Sequence, residues 1–200
     1  MNATHSVDFF ERQSRRQVGA AELQLNPFEE AALPYLRGRL LDFGCGLGNL
    51  SVAAAHQGCQ VLALDGSATA IRHLRQRAQE EGLAIDARQA DLSDYVLDED
   101  FDTVVSIGLL MFLGCAQAWQ QLTQLQQRLR PGGTLVLTML VEGTTYRDMF
   151  DPQQHCLVPS SELLARFTGW RIALQREQSF PAPQEHVKAF LSLIAVKPQA

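Results

Sequence analysis

The sequence predicts an α/β fold, a mostly parallel sheet covered by helices on both faces. Three observations carry this. Short apolar runs alternate with stretches of helical periodicity from Arg39 through Val141. One junction between such a run and a helix, Gly44-Cys45-Gly46-Leu47-Gly48, places glycine at every second position. The run from Thr134 to Val141 is continuously apolar, as a strand buried on both faces must be.

The glycine junction organises the rest. Leu40, Leu41 and Phe43 form the first strand, and Leu50-Ser51-Val52-Ala53-Ala54-Ala55 starts the following helix. Between them the backbone must turn sharply, and a Cβ would block a ligand lying against it; both needs call for glycine. Strand, glycine turn and helix together open a nucleotide-binding βαβ unit. The next apolar run, Val61-Leu62-Ala63-Leu64, closes on Asp65. That sets a carboxylate at the tip of the second strand, where ribose hydroxyls would be held.

Glycine spacing separates two readings. The dinucleotide fingerprint G-x-G-x-x-G requires glycine at position 49, where this chain has Asn49. The chain reads Asp42-x-Gly44-x-Gly46-x-Gly48 instead. With its acid included, this resembles the first motif, [D/E]-x-G-x-G-x-G, of the Rossmann-like (class I) S-adenosylmethionine-dependent methyltransferases. The resemblance implies a Rossmann-like three-layer sandwich whose mostly parallel seven-stranded sheet has an antiparallel last strand. It also implies S-adenosylmethionine as cofactor. The matching positions are Asp42, Gly44, Cys45, Gly46 and Gly48 around the methionine moiety, Asp65 at the ribose and Asp91 at the adenine amino group. Gly66, Leu92 and Ser106 complete the cofactor set. Physically, the loop N–H groups and the positive end of the helix suit the cofactor's carboxylate. A tight turn with no ligand is the bland alternative, and for Asp91 it is a simple turn or capping role.

The remaining elements follow in order. Residues 4–17 read as a helix capped by Thr4 or Ser6, with Phe9 and Phe10 either packing it on the sheet or closing it over the cofactor as a lid. Asn26-Pro27 caps a helix ending near Pro34. Gly58 stops the helix after the glycine loop, Ser67 caps the next and Gly82 ends it. Leu83 to Gln89 forms the third strand and Phe101 to Gly108 a β-branched fourth. A helix with Trp119, Leu122, Leu125 and Leu129 on one face presents its glutamines to solvent. Arg130-Pro131-Gly132-Gly133 turns into the fifth strand, and an L-[R/K]-P-G-G turn here is a recurrent feature of the same family. Residues 143–158 form a loop, Ser160-Ser161 opens a short helix and Gly169-Trp170 leads into the sixth strand. A turn at Phe180-Pro181-Ala182-Pro183 precedes the last strand, Val187 to Val196. The expected organisation is one domain over 1–200, with an N-terminal helical segment (1–37) and a core (38–200).

Composition bounds the function class. Apolar residues make up 46% and charged residues 20%, and the net charge of −5 offers no broad basic face for nucleic acid. No apolar run suffices for a membrane span, and no signal-peptide core is visible. Cys45, Cys59, Cys115 and Cys156 lack C-x-x-C pairing and histidines at zinc spacing, so they read as reduced thiols of a cytoplasmic protein, with no metal site. The expected partner is a small-molecule acceptor, neither nucleic acid nor membrane, and oligomeric state is open.

A narrower likeness concerns the acceptor. Leu110-Met111-Phe112-Leu113 resembles the V-L-M-F-L run of the tellurite-resistance methyltransferases, and Leu163…Gly169-Trp170 resembles their later helix and strand start. Their histidine–arginine pair before the last strand is missing; Glu185-His186-Val187-Lys188 stands there. A soft nucleophile needs no general base, whereas an oxygen or nitrogen acceptor would draw on His155, His186 or Tyr146. The position of an N-P-P-Y or D-P-P-Y motif is held by Ser106-Ile107-Gly108-Leu109, which argues against adenine or glutamine-amide methylation. A nicotinamide-dependent oxidoreductase and a non-catalytic cofactor-binding module remain the alternatives.

Overall fold

A computed structural model describes residues 11, 12, 15 and 24–199. The elements in chain order are α1 (Pro27–Ala32), a 3-10 turn (Leu33–Tyr35), β1 (Arg39–Phe43), α2 (Asn49–His56), β2 (Gln60–Asp65), α3 (Ala68–Glu81) and β3 (Ile85–Gln89). Then come β4 (Phe101–Ile107), a second 3-10 turn (Leu110–Phe112), α4 (Cys115–Arg128), β5 (Leu129–Leu140), α5 (Ser160–Ala165), β6 (Arg171–Pro181) and β7 (Val187–Val196). The Phe9–Phe10 pair and the helix caps expected at Thr4 and Ser6 lie outside the described residues.

The strands form one sheet in the order β3-β2-β1-β4-β5-β7-β6. Pairs β2–β3, β1–β2, β1–β4 and β4–β5 are parallel, and β7 runs antiparallel to both neighbours. The expected seven-stranded, mostly parallel sheet with an antiparallel last strand is what the chain builds. Strand order reverses between β1 and β4, so their carboxyl ends flank the crevice in which such sheets bind ligands.

Alternation along each strand assigns one core to each face. Leu41, Phe43, Leu62, Leu64, Val104, Leu135 and Leu137 pack against Ala118, Leu122 and Leu125 of α4 and Leu163 of α5. Leu40, Val61, Ala63, Val105 and Val136 pack against α1, α2 and α3 through Phe28, Ala32, Leu50, Val52, Ile71 and Leu74. Helix, sheet and helix therefore make three layers. The helix caps are where the sequence puts them. Asn26 accepts from Phe28 and Glu29 N–H while Glu29 reaches back to Asn26, Ser67 caps α3, and Gly82 closes it with φ 64°.

Several boundaries differ from the sequence reading. The Pro131-Gly132-Gly133 turn is absorbed into β5 as an irregularity: Phe101 stands opposite Leu129, but Thr103 is already opposite Thr134. β6 runs through Phe180 and Pro181, so the β6–β7 turn is shorter and lies at 182–186. The glutamines of α4 are not all solvated. Gln121 is fully buried and donates to the Ser93 and Tyr95 carbonyls, and Gln124 bonds Tyr95 O and Leu97 N. They pin the otherwise irregular stretch after β3, which has too few ladder bonds of its own to satisfy its backbone. Past β7, the Lys197 ammonium donates to the carbonyls of Gln126 (2.7 Å) and Leu129 (2.6 Å), closing the C-terminal end of α4.

The cysteine expectation needs correction. Cys115 and Cys156 are joined by a disulfide across a sequence separation of 41, while Cys45 and Cys59 are free. A pairing at such separation leaves no local pattern in the sequence. Among the described residues no helix is long and apolar enough to cross a membrane.

The β6–β7 turn holds Gln184 at φ 57° and Glu185 at φ 59°, two side chains in the left-handed region that suits Asn and Gly. Replacing them together (Gln184→Asn, Glu185→Gly) is expected to raise unfolding free energy by roughly 1 kcal/mol. Denaturant melts of both proteins check this, and an unchanged midpoint would show that the turn stores no strain.

Candidate cofactor and active site

The loop after β1 takes its shape from three left-handed residues, Gly44 (φ 88°), Gly46 (φ 53°) and Gly48 (φ 73°). Their reasons for being glycine differ. A Cβ at Gly44 would sit 2.9 Å from Leu109, and one at Gly48 would sit 2.5 Å from Leu74, so these two are fixed by packing. A Cβ at Gly46 would meet nothing within 4 Å. That glycine borders open space, as expected of a backbone kept bare for a ligand.

The loop is lashed to the second strand. Gly44 and Cys45 N–H donate to Leu64 O, and Gly46 N–H donates to Asp65 Oδ2 at 2.8 Å. The other Asp65 oxygen accepts from Ser67 N–H at 2.7 Å. Each oxygen of an ionised carboxylate can accept a second bond, so both remain able to take hydroxyl donors. Asp42, one residue from the end of β1, is buried at 4% exposure and accepts from Ser51 Oγ of α2 at 2.6 Å.

Three acids of this end of the sheet are pushed toward protonation. Burial raises Asp42 to about 7; the Ser51 bond opposes this, and the charges of Glu29 and Asp65 add to it. Burial likewise raises Asp65 against the bonds from Ser67 and Gly46, and it raises Glu29. Desolvation, followed by the Asp42 and Asp65 charges, lifts the Cys45 thiol well above its usual value. The site carries more negative charge than its own groups neutralise, and a cation would settle it.

Further members come from neighbouring loops. Gly66 O accepts from Gln89, and Leu92 is buried in the core. Asp91 is exposed, and its Oδ1 accepts from the N–H and hydroxyl of Ser93, the turn-capping role. The Ser106 hydroxyl is buried near the carboxyl end of β4 without a hydrogen-bond partner. Glu11, which no motif singled out, accepts from Ser67 and Thr69 at the start of α3, beside Asp65. Burial alone would raise Glu11, but the bonds from Ser67, Thr69 and Arg15 outweigh it and hold it at about 2.

Beyond β4, Leu110 and Met111 are core residues, while Leu109 is half-buried against the glycine loop. Phe112 stacks on Phe150 (5.0 Å between centroids), and Phe150 meets the ring of His155 at 5.3 Å. Arg147 lies 3.2 Å from His155 Nε2, and Asp151 O lies 3.1 Å from Nδ1. Since guanidinium only donates, Nε2 accepts and the Nδ1 proton goes to Asp151 O. Tyr146 belongs to a separate group, under the Lys188 ammonium (4.8 Å) and beside His186 (6.3 Å). Two clefts of about 480 Å³ lie elsewhere, at the opposite ends of the strands; in one, Arg39 pairs with Glu99 and Arg130 with Asp102.

This geometry can be set beside known proteins. Residues 40–133 match the family model described as "Methyltransferase domain". That stretch runs from β1 to the start of β5 and holds the glycine loop, Asp65 and Asp91. The chain is 35% identical over 111 residues to a ubiquinone biosynthesis O-methyltransferase of Cereibacter sphaeroides, covering 55% of this chain and 44% of that protein. It thus spans under half the length of that relative. Among solved structures it resembles TehB from Haemophilus influenzae, with TM-score 0.74 and 20% identity over 85% of this chain and 61% of that one. It also resembles the N-methyltransferase NodS from Bradyrhizobium japonicum in complex with S-adenosyl-L-homocysteine, with TM-score 0.70 and 20% identity over 95% and 99%. The loop described above lies within the matched residues, and the cofactor its motif implies is S-adenosylmethionine.

The residues present fit that cofactor on three structural observations: open space beside Gly46, a surplus of buried carboxylate, and an unpartnered hydroxyl at Ser106. Gly46→Ala is expected to weaken cofactor binding about tenfold or more while lowering stability by only about 1–2 kcal/mol, the cost of a left-handed side chain. Gly48→Ala should show the reverse weighting, because its methyl lands on Leu74. Calorimetric binding and thermal melts of both variants check the contrast.

Asp42 yields a pH prediction. Its folded pKa, about 7, lies above the unfolded value, so it stabilises the fold fully at low pH and this contribution is lost as pH rises through about 7. Asp42→Asn, which removes the titration but keeps an acceptor for Ser51, is expected to melt higher than wild type at pH 8 without cofactor. The same change should weaken S-adenosylmethionine binding about tenfold, with the wild-type preference for pH above 7 abolished.

Proposed function

We propose that the chain transfers the methyl group of S-adenosylmethionine to a small acceptor with an apolar body or a soft nucleophilic atom, a thiol or chalcogen. The observation that carries this reading is the surface past the tip of β4. Leu109 abuts the glycine loop, Phe112 is backed by Phe150, and the base candidate beside them, His155, has its Nε2 lone pair committed to Arg147. An apolar, polarizable surface without a ready proton acceptor suits a nucleophile that needs no general base. TehB, a tellurite-resistance protein, adds a relative of matching fold.

The bound cofactor supplies an activated methyl on a sulfonium leaving group. The chain's own residues then have to bind, align and exclude water. Asp42 would oppose the cofactor's ammonium and Asp65 would accept both ribose hydroxyls. Gly46 would leave room for the methionine backbone, and Asp91 and Leu92 would border the adenine. Gly44, Cys45, Gly48 and Gly66 would set the loop's course, and Ser106 would offer its free hydroxyl. Glu11, bonded to Ser67 and Thr69 at the start of α3, would stand beside Asp65.

An oxygen acceptor is the second reading, favoured by the Tyr146, His186 and Lys188 group, which could take up a proton, and by the O-methyltransferase relative.

Phe112→Ala is expected to reduce methyl transfer at least tenfold while changing cofactor affinity less than threefold, and Asp65→Ala to reduce affinity roughly ten- to a hundredfold. Radiolabelled cofactor offered with thiol, chalcogen-oxyanion and phenol acceptors checks the acceptor class. Turnover with phenols alone would replace the first reading by the second. Phe112→Ala also loses core packing, so melts accompany each assay; a destabilised variant whose folded fraction turns over normally would remove Phe112 from the site.

A further inference from the structure

Of the two clefts at the far ends of the strands, one balances its charge and the other does not. In the first, Arg39 is bridged to Glu99 and Arg130 to Asp102, both at 2.8 Å. The second also encloses about 480 Å³, and Arg37, Arg171 and Lys197 line it with no acidic residue in its walls. On a chain of net charge −5, this local surplus of positive charge runs against the rest of the molecule.

Strand register builds the floor of this second cleft. Arg171 stands opposite Val196, Val196 opposite Thr134, and Thr134 opposite Thr103, one row across β6, β7, β5 and β4. Directly opposed residues of antiparallel strands project from the same face, so Arg171 and Thr134 share the cleft side of the sheet. At the other end of the row, Thr103 Oγ1 accepts from Arg37 N–H and donates to Arg37 O, both at 3.0 Å. Arg37 is thereby fixed as the opposite wall. Three strand spacings, about 14 Å, separate the ends of the row, a gap that two arginine side chains can close over one ligand.

Both walls have donors to spare. Arg37 Nη2 gives one N–H to Gly132 O at 2.5 Å, and a guanidinium has five. The Arg171 guanidinium and the Thr134 hydroxyl have no partner among the described residues, although Thr134 is only 4% exposed. The carboxylate that feels the Arg37 charge, Asp102, is already held by Arg130. Lys197 differs: its ammonium donates to the carbonyls of Gln126, Gln127 and Leu129, so it adds charge and rigidity but no free donor. Half-buried Tyr35, with Pro34 and Pro198, gives the cleft a flat apolar side.

We propose that this cleft is a second ligand site, which takes a small phosphate monoester with a flat apolar body. Above its second pKa of about 6 such a phosphoryl group carries two charges and three acceptor oxygens. That is enough to engage forks from both walls and the Thr134 hydroxyl, whereas a carboxylate is filled by a single arginine. The flat body lies along Tyr35, and the volume falls in the range of small-molecule sites. Binding here needs neither the glycine loop nor methyl transfer.

Calorimetric titration of the full chain with phenyl phosphate, inorganic phosphate and benzoate tests this, with and without S-adenosylhomocysteine. Expected is one phenyl phosphate per chain with Kd below about 1 mM, unchanged by S-adenosylhomocysteine. Benzoate should bind at least about tenfold more weakly, and inorganic phosphate about threefold or more. Arg171→Gln and Arg37→Gln should each weaken phenyl phosphate at least about tenfold, while Arg130→Gln, in the charge-balanced cleft, should leave it within about twofold. Arg37→Gln also gives up the Gly132 bond, so melts accompany it. Arg171→Gln breaks no polar side-chain contact among the described residues and decides the matter if the Arg37 variant unfolds. No saturable binding, or affinity indifferent to Arg171→Gln, would overturn the proposal. Equal weakening by Arg130→Gln would do the same, since it would mean general charge attraction. Benzoate binding as tightly as phenyl phosphate would overturn the choice of phosphate, and inorganic phosphate doing so would overturn the apolar body.

Discussion

The bond from the Gly46 N–H to Asp65 ties the first loop to the tip of the second strand, and much of the site depends on it. With Gly44 and Cys45 held on Leu64 O, the loop cannot fold back over β1 and keeps its left-handed path into α2. Burial raises the pKa of Asp65, the same bond works against that rise, and the Asp65 charge in turn helps to push Asp42 up. One backbone donor thus couples the shape of the loop to its electrostatics.

That coupling is a liability for the fold and an asset for binding. Two partly buried carboxylates that repel each other destabilise the protein alone, and a cationic ligand removes the conflict on arrival. The acids of the site are better understood as held in readiness for a charge than as structural members. Residues elsewhere on the sheet, where Arg39 meets Glu99 and Arg130 meets Asp102, carry their counter-ions with them and have no such need.

The parts legible in the sequence were those written in local periodicity. Gly44, Gly46 and Gly48, the apolar run ending in Asp65, and the caps at Asn26, Ser67 and Gly82 each specify backbone geometry within a few residues, and each stands where the sequence places it. Gln121 was misread because helical spacing assigns it to a polar face, whereas a distant stretch without ladder partners supplies two carbonyls that it satisfies. The Cys115–Cys156 bond and the Arg147–His155 contact are likewise products of topology: a connection of no regular structure returns to the tip of β4, and nothing in its own residues announces where it will land.

Helix α4 joins these themes mechanically. Its first residue is bonded to the connection between β5 and α5, its middle glutamines hold the stretch that follows β3, and Lys197 grips its far end. A helix resists bending, so displacement at one attachment is transmitted to the others as rotation of a common axle. The stretch after β3 and the connection after β5 are therefore not free to shift independently, because one rigid rod holds both.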